Sequence, residues 1–386
     1  MKIVIFVVTM IGKQLIAISL AFVTASAAAQ DMSAVWEQTK GLLEESSSQK
    51  KNLDPLYTLQ PELRWTASLG GTGIRMGADL HSDIQATLVV GEGEPQMTNV
   101  SLQTELKKRL YKKVVLGISY GDLGLDLGFE VGNVGPKRNS YVDFGTVASY
   151  YGARIQYFKT HGYVDGTLDF ELEDIPSIKL TSETPSQVRE LSIDGFYAFN
   201  RRKFVYTASY GGRIVQRKSV GSWMVAAKYL RGDFALNDKT LVQGLDGLNR
   251  YVTRQTHVGA GYSYNWVPLH RDPKDARTWK GLQNLTVNVT AVPMVSLINH
   301  IYTEKGSGRA KFRTRHTGHM AFSPTFRTGV CYAWDRYYVS LQAEYNRFGF
   351  HGADTEIQGE DGQPRTISTR GVFYDLTGKV QLNVRF

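Results

Sequence analysis

The chain is poor in cysteine and has no long apolar segment beyond its first 29 residues. Cys331 is the single cysteine among 386 residues, so no intramolecular disulfide can form. No later apolar run approaches the ~20 residues that a transmembrane helix needs. The mean hydropathy, −0.26, is slightly negative. These absences exclude a disulfide-stabilised domain and a helical membrane protein.

The C-terminal segment alternates instead between apolar and polar side chains. One face carries Val372, Tyr374, Leu376, Gly378, Val380, Leu382, Val384 and Phe386, and the other Asp375, Thr377, Lys379, Gln381, Asn383 and Arg385. Because successive side chains of a strand point to opposite faces, this pattern predicts one long strand, apolar outside and charged inside. A long strand that ends the chain on an aromatic residue is typical of the closing strand of a bacterial outer-membrane barrel.

The same alternation recurs from residue 57 onward. It predicts an all-β fold, a transmembrane antiparallel up-and-down β-barrel of about twelve strands, with ten or fourteen allowed. Asn200–Lys203 reads as a turn, and the alternating apolar residues Phe204, Tyr206, Ala208 and Tyr210 read as a returning strand. With both termini in the periplasm, residues 302–315 and 349–365 are expected as outer loops.

The N-terminus has the features of an export signal. Lys13 precedes the apolar run Leu15–Val23, and Ala27 and Ala29 fit the small-x-small pattern before a cut that leaves Gln30 as the mature start. Two alternatives to this reading remain: Met10 is the true start of the chain, or the two apolar runs form an uncleaved membrane anchor. We expect a cleaved signal peptide at 1–29, a partly helical periplasmic segment at 30–56, and an outer-membrane barrel at 57–386.

Charge and aromatic content are consistent with that location. The formal net charge is +9, of which Lys2 and Lys13 belong to the predicted signal peptide. The 21 Tyr, 17 Phe and 6 Trp suit membrane–water boundaries, because their rings are apolar and Tyr and Trp can hydrogen-bond at one edge. The expected partners are outer-membrane lipid and lipopolysaccharide, the barrel-assembly machinery and a small polar solute, with no nucleic acid.

Several of the turns resemble a known family. Asn200–Phe204 with Tyr206, then Lys218–Ser222, Gly261–Asn265 and the hairpin Tyr332–Tyr337, are similar to stretches of an uncharacterised Bacteroidota outer-membrane family. That family has only a domain-of-unknown-function label. The resemblance covers most of residues 57–386. It implies an outer-membrane barrel and no known activity.

Candidate catalytic and metal-binding residues are few. Gly117–Gly121 matches the G-x-S-x-G pattern around Ser119, but the serine falls inside an alternating strand with no helix after it, where a nucleophile elbow needs a strand-to-helix turn. His300, His316 and His319 surround one predicted outer loop without a matching Ser and acid. The acidic stretch Asp354–Asp361 lacks the spacing of a defined calcium loop. We expect no enzyme, no metal site and no cofactor.

The inward-facing charges on the last three strands form the most informative set. Arg327, Glu344, Asp375, Lys379 and Arg385 should all project into the lumen. Charges of both signs in a confined, partly desolvated interior favour mutual pairing. A network that fills the barrel is one reading, and a selectivity lining for a small polar solute is the other.

The sequence therefore predicts an outer-membrane barrel with a passive role, either a small pore or transport aid, or a structural protein of the envelope. An outer-membrane enzyme acting on lipid or glycan is an alternative. A loop-based adhesin or binding module is another. These readings share the fold and differ in whether the lumen, the outer rim or the loops carry the function.

Removal of Phe386 should impair insertion, because the barrel-assembly machinery is expected to read Tyr374, Gly378, Val380, Leu382, Val384 and Phe386 in the closing strand. The heat-modifiable, folded fraction in membrane preparations measures this effect. Normal amounts of folded protein from the truncated gene would contradict it.

Overall fold

A computed structural model describes residues 53–59, 65–88, 96–106, 109–120, 123–130, 140–147, 150–171, 177–211, 214–239, 242, 248–275, 279–305, 312–317, 320–351, 355–358 and 364–386. Most of these residues lie in strands. No helix in this part of the chain is long and apolar enough to cross a membrane. The expected signal peptide with Ala27, Ala29 and Gln30 lies outside the described residues.

Twelve strands, β1 to β12, form the barrel wall, and several of them are interrupted once. The first six are β1 (Trp65–Leu88), β2 (Gln96–Leu106 and Arg109–Tyr120), β3 (Leu123–Glu130), β4 (Ser140–Val147), β5 (Tyr151–Gly162 and Val164–Phe170) and β6 (Ile178–Thr181 and Ser186–Ala198). The last six are β7 (Val220–Ala235), β8 (Leu248–Arg271), β9 (Gln283–Val292 and Met294–Lys305), β10 (Phe312–Thr317 and Thr325–Trp334), β11 (Tyr337–His351 and Thr355–Gln358) and β12 (Pro364–Arg385).

The sheet closes on itself by pairing its last strand with its first. β12 runs antiparallel to β1 from Thr66 opposite Arg385 to Ile84 opposite Ile367. Every other pair of consecutive strands is also antiparallel. Strands β3 and β4 are short, so the parts of β2 and β5 that extend past them pair directly with each other. Closure satisfies the backbone N–H and C=O groups without leaving a free edge. The expected antiparallel barrel of twelve strands is confirmed.

The wall is inside-out relative to a soluble protein. On β12, Leu376, Val380 and Leu382 are 46%, 49% and 48% exposed, whereas the intervening Lys379 and Gln381 are 7% and 5% exposed. The apolar side chains therefore face outward and the polar ones face the lumen. This is the arrangement that a hydrocarbon surround and a polar interior require.

Outward-facing aromatic residues concentrate at the end of the barrel that holds the start of β1 and the end of β12. Trp223 on β7 packs edge-on against Tyr262 on β8, with ring centroids 5.3 Å apart. Across the β10–β11 turn, Trp334 stacks on Tyr332 at 5.7 Å and on Tyr337 at 6.0 Å. Rings with a polar edge are favoured where hydrocarbon meets water.

One strand expectation is wrong. Phe204, Tyr206, Ala208 and Tyr210 do not form a returning strand, because residues 204–211 fold into irregular chain with a single 3₁₀ turn at Tyr206–Ser209. The next wall strand begins only at Val220. The expected outer loops are also shorter than predicted, since 302–305 and 312–315 continue β9 and β10, and 349–351 and 355–358 continue β11.

Val380→Arg should destabilise the folded barrel by about 2–4 kcal/mol, because it places a charge near the middle of the lipid-facing band. Val380→Leu keeps the apolar face and serves as the matched control. Urea unfolding of both variants in lipid vesicles measures the difference. Equal stability of the two would show that this face does not meet hydrocarbon.

Candidate functional site in the barrel lumen

The connection between β6 and β7 enters the barrel rather than turning back at its rim. We call residues 199–211 and 214–219 the luminal plug. Phe204, Val205 and Gln216 are fully buried, and Tyr206 and Ile214 are 4% exposed. Burial of this kind requires that the plug be surrounded by the inner wall on most sides.

An apolar layer holds the plug against the inner wall. Phe204 and Tyr206 pack on a cluster of inward-facing wall residues, Phe196, Ala198, Met224, Val292 and Met294. The rings of Phe196 and Tyr206 lie 4.3 Å apart. The inner wall can carry apolar side chains here because the plug covers them and removes them from water.

Amide side chains satisfy the plug's buried backbone groups. Gln216 Nε2 donates to the carbonyls of Lys203 (2.8 Å) and Tyr57 (3.0 Å), and its Oε1 accepts from the Val205 N–H (2.9 Å). From the wall, Asn265 Nδ2 donates to the Val205 carbonyl at 2.7 Å, and Asn284 Nδ2 to the Gln216 carbonyl at 2.9 Å. An irregular segment can be buried only if such partners replace water.

The tip of the plug, Tyr210, reaches wall strands β9, β10 and β11. Its hydroxyl donates to Asn288 Oδ1 at 2.6 Å, and its carbonyl accepts from Gln342 Nε2 at 2.8 Å. Gly329 makes room for the ring, since a Cβ there would stand 2.8 Å from Tyr210 Cε1. The tip therefore fits a defined position on the wall.

Two further segments lie beside the plug at the end of the barrel that holds the start of β1. Together with the adjacent part of the plug they form a layer that we call the floor. Thr58–Leu59 pairs antiparallel with Val215–Gln216 of the plug, and Leu53 packs on the plug cluster of Val205, Ala208 and Ile214. In the connection between β8 and β9, Trp279 is 1% exposed. It belongs to a cluster with Val215, Leu282, Cys331, Ala333 and Tyr338.

An ion pair joins the plug to the connection between β8 and β9. Arg217 Nε donates to Asp272 Oδ1 at 2.9 Å, and His270 Nε2 lies 3.0 Å from the same oxygen. Desolvation of Asp272 opposes its charged form, but the hydrogen bonds from Arg217 and His270 outweigh it and lower the pKa of this carboxyl. The carboxylate therefore stays charged over a wide pH range.

Above the plug, six charged side chains form a continuous chain of contacts across the lumen. We call this set the ion chain: in order, Asp143, Arg154, Glu344, Arg327, Asp194 and Lys228. The successive N–O distances are 2.7, 2.9, 2.9, 3.3 and 3.4 Å. Acids and bases alternate along it, so every inner member has an opposite charge on both sides.

The ion chain crosses the lumen twice. Arg154 stands on β5 and Glu344 on β11, which lie opposite each other in a barrel of twelve strands. Arg327 on β10 returns to Asp194 on β6. The exposed fractions of its side chains run from 3% to 21%. Buried charges in this state are tolerated because each is paired, and loss of one partner leaves another charge uncompensated.

A chamber of about 220 Å³ lies beside the plug tip and the ion chain. One side of its wall is made of small residues, among them Thr66, Ser68, Ser119, Gly124, Gly145 and Gly152. The other side carries Tyr206 and Tyr210 of the plug together with Arg154, Arg327 and Glu344. Lys379 on β12 contacts Asp126 on β3 and brings a second ion pair to the same space.

The structure separates the five predicted lumen charges into three places. Arg327 and Glu344 are members of the ion chain, and Asp375 joins it through Asn346, whose Nδ2 donates to Glu344 Oε1 (2.9 Å) and Asp375 Oδ2 (3.1 Å). Lys379 lies across the chamber with Asp126. Arg385 lies in the floor, with its guanidinium 4.2 Å from the Trp279 ring centroid and 4.6 Å from that of Tyr338.

Four members of the ion chain were missed by sequence reasoning. Asp143, Arg154, Asp194 and Lys228 all occupy inward positions of alternating strands, so the two-residue period marks them as lumen-facing. Their pairing could not be read in the same way. It depends on which strands face each other across the barrel.

The other singled-out residues are not brought together. Ser119 lines the chamber, where none of the described lining residues is a histidine. His300 lies on β9 and His316 on β10, while His319, Asp354 and residues 359–361 lie outside the described part. Within the described residues, no three His, Cys, Asp or Glu side chains are grouped as a metal would require.

Comparison with known proteins places the sequence in a family and adds little about activity. The profile described as "Domain of unknown function (DUF4421)" matches residues 96–363, more than half of the chain. No curated protein matches significantly. Among solved structures, the outer membrane protease OmpT from Escherichia coli is similar at 8% identity, with a TM-score of 0.42, 85% of this chain covered and 98% of that chain.

OmpT, an outer membrane protein of Vibrio cholerae, is similar at 8% identity with a TM-score of 0.18, over 81% of this chain and 98% of that one. Both TM-scores are below 0.5. The barrel architecture therefore rests on the strand pairing of this chain, and no activity transfers from either protein.

Glu344→Gln should lower the free energy of unfolding by about 3–5 kcal/mol, because it leaves the buried Arg154 and Arg327 without their shared carboxylate. Glu183→Gln makes the same chemical change at an exposed position and should have little effect. Urea unfolding in detergent micelles compares the two. A stability of Glu344→Gln equal to that of Glu183→Gln would show that the ion chain does not support the fold.

Proposed function

Because the chain belongs to the DUF4421 family, whose function is unknown, we propose its role from the lumen. The protein is an outer-membrane barrel that is closed at rest and gives passage to a small polar solute when the luminal plug moves. The observation that carries this proposal is the contact between the plug and the ion chain, in which Arg327 Nη1 donates to the Tyr206 hydroxyl at 3.4 Å, beside a mixed-charge chamber.

The outer surface supports placement in a membrane. Large apolar side chains point outward on both halves of the barrel, for example Leu116 and Phe129 (50% and 56% exposed) and Trp223 and Val289 (67% and 59% exposed). A monomeric soluble protein does not expose a continuous apolar band of this kind. An antiparallel barrel whose first and last strands meet at the end that carries both termini is the architecture of the bacterial outer membrane, with that end in the periplasm.

Three successive layers support closure at rest. From the periplasmic side these are the floor around Trp279, the apolar layer around Phe204 and the ion chain. Conduction needs a continuous wet path of weak sites. The first two layers are packed apolar clusters, so the described lumen holds no such path through the plug itself.

The charges of the chamber define the class of solute. Asp126, Asp143 and Glu344 face Arg154, Arg327 and Lys379 around a space of about 220 Å³. A solute with one positive and one negative group could exchange its charges for those of the ion chain, so that no buried charge is left unpaired. Drug-sized ligands occupy roughly 300–1,000 Å³, which favours a smaller, zwitterionic molecule here.

The plug's dense packing also favours a second role, that of a permanently closed structural barrel of the envelope. Phe204 and Val205 are fully buried, as in a protein core. A structural barrel and a gated one differ in whether the plug can leave its site. Measurement of conductance separates them.

A catalytic role is not part of this proposal. Ser119 stands on a wall strand, and the described chamber lining offers it no histidine as a base.

The wild-type protein should carry almost no current in planar lipid bilayers. Replacement of residues 204–214 by a Gly-Ser linker of equal length should produce discrete open steps, because the apolar layer and the plug tip are then lost while the wall strands are unchanged. Heat-modifiability confirms that the variant barrel is folded.

Steady current through the wild type would contradict closure at rest. A folded linker variant that stays silent would contradict gating by the plug and favour the structural role. Flux of a labelled zwitterion, compared with a neutral sugar of similar size, through vesicles containing the linker variant tests the solute class. Equal rates for the two would contradict charge selection.

A further inference from the structure

We propose that a basic patch on the outer face of β7 and β8 binds the phosphate groups of a lipid in the outer leaflet. We call Arg231 and Arg254 the arginine pair. The proposal relies on the membrane placement argued above and is independent of whether the plug moves.

Both arginines face outward. Arg231 follows Trp223 by eight residues on β7, and Arg254 precedes Tyr262 by eight on β8, an even spacing that keeps them on the face of those exposed aromatics. The β7–β8 register is unbroken from Val220 to Ala235, so no bulge reverses the faces.

The arginine pair lies at the outer edge of the apolar band. Eight residues of strand span about 26 Å, and a strand tilt near 40° converts this to a height of about 20 Å above Trp223. The apolar band of such barrels is about 25 Å tall. With Trp223 at the periplasmic boundary, the backbone of Arg231 lies about 5 Å below the outer edge of this band, a distance that a long arginine side chain can span to reach the headgroups.

Two like charges stand directly opposite each other in this pair. Arg231 and Arg254 are register partners on adjacent strands, where side chains lie about 5 Å apart and like charges are destabilising. The nearby acids are already taken: Arg250 binds Asp233 at 2.7 and 2.5 Å and Glu304 at 3.1 Å. Within the part of the chain that the structure describes, no acid is paired with either arginine, so an external anion would relieve their repulsion.

One guanidinium is already held in place. That of Arg254 lies 5.1 Å from the centroid of the Tyr302 ring on β9. A guanidinium stacked on a ring loses less freedom when it binds a phosphate, which arginine can contact through two parallel N–H groups.

The surroundings extend the positive surface along the same height. Arg189 on β6 lies opposite Asp233, diagonal to Arg231, and Lys159 on β5 lies opposite Arg189. Below the pair, the outward face returns to Tyr229 and Ala227. A phosphorylated lipid matches both parts, with phosphates against the basic patch and acyl chains against the band below.

The test measures binding of bisphosphorylated lipid A to purified, folded protein by native mass spectrometry. Arg231→Gln/Arg254→Gln should weaken binding about 30-fold, from about 1 kcal/mol for each cation near the headgroups. Arg271→Gln/Arg336→Gln removes the same charge from exposed positions at the periplasmic end, with Arg271 on the same strand as Arg254, and should bind as the wild type does.

Dephosphorylated lipid A and inorganic phosphate distinguish the sources of affinity. The wild type should bind dephosphorylated lipid A as weakly as the double variant binds the bisphosphorylated form, and millimolar inorganic phosphate should not displace the lipid. Wild-type affinity in Arg231→Gln/Arg254→Gln, or equal loss in the control variant, would overturn the proposal. So would full displacement by inorganic phosphate, which would assign the patch to a soluble anion. None of these outcomes depends on conductance, so the luminal proposal is tested separately.

Discussion

Two arginines reach from one wall of the barrel to carboxylates on the other, and the ion chain depends on them. Arg154 and Arg327 share Glu344, and through it they connect Asp143 on β4 with Asp194 on β6. Each charge is buried enough that isolation would be costly, and each is paired, so the set is stable only as a whole. In the function proposed above, the same property makes the ion chain replaceable, because a solute that supplies both charge signs would satisfy the separated partners.

The plug and the ion chain close the lumen by different physical means. The plug removes apolar wall residues such as Met224 and Val292 from water. Amide side chains of the wall, such as those of Asn265 and Asn284, donate hydrogen bonds to its backbone carbonyls. The ion chain spans the lumen through paired charges and the hydrogen bonds between them. Closure is thus apolar on the periplasmic side and electrostatic above it, with the chamber at the boundary between the two.

Much of the wall was predictable from the sequence, and little of the lumen was. The alternation on the last strand marks Leu382 as outward and Gln381 as inward, as found. The same alternation misled at Phe204, Tyr206, Ala208 and Tyr210, because a run of apolar residues at even spacing fits a strand and an irregular plug equally well. Among the lumen charges, the inward direction of Glu344 followed from its position. Its contact with Arg154, 190 residues away, did not.

The two-residue period of the sequence by itself determined an antiparallel barrel with an apolar exterior and a charged interior, because the direction of a strand side chain is a local property. The family assignment follows from the same sequence. Only the tertiary structure decided that residues 199–211 and 214–219 fold inward and that Arg154 meets Glu344. Both depend on which strands stand opposite each other once the sheet has closed, and closure is set by the register of all twelve strands together.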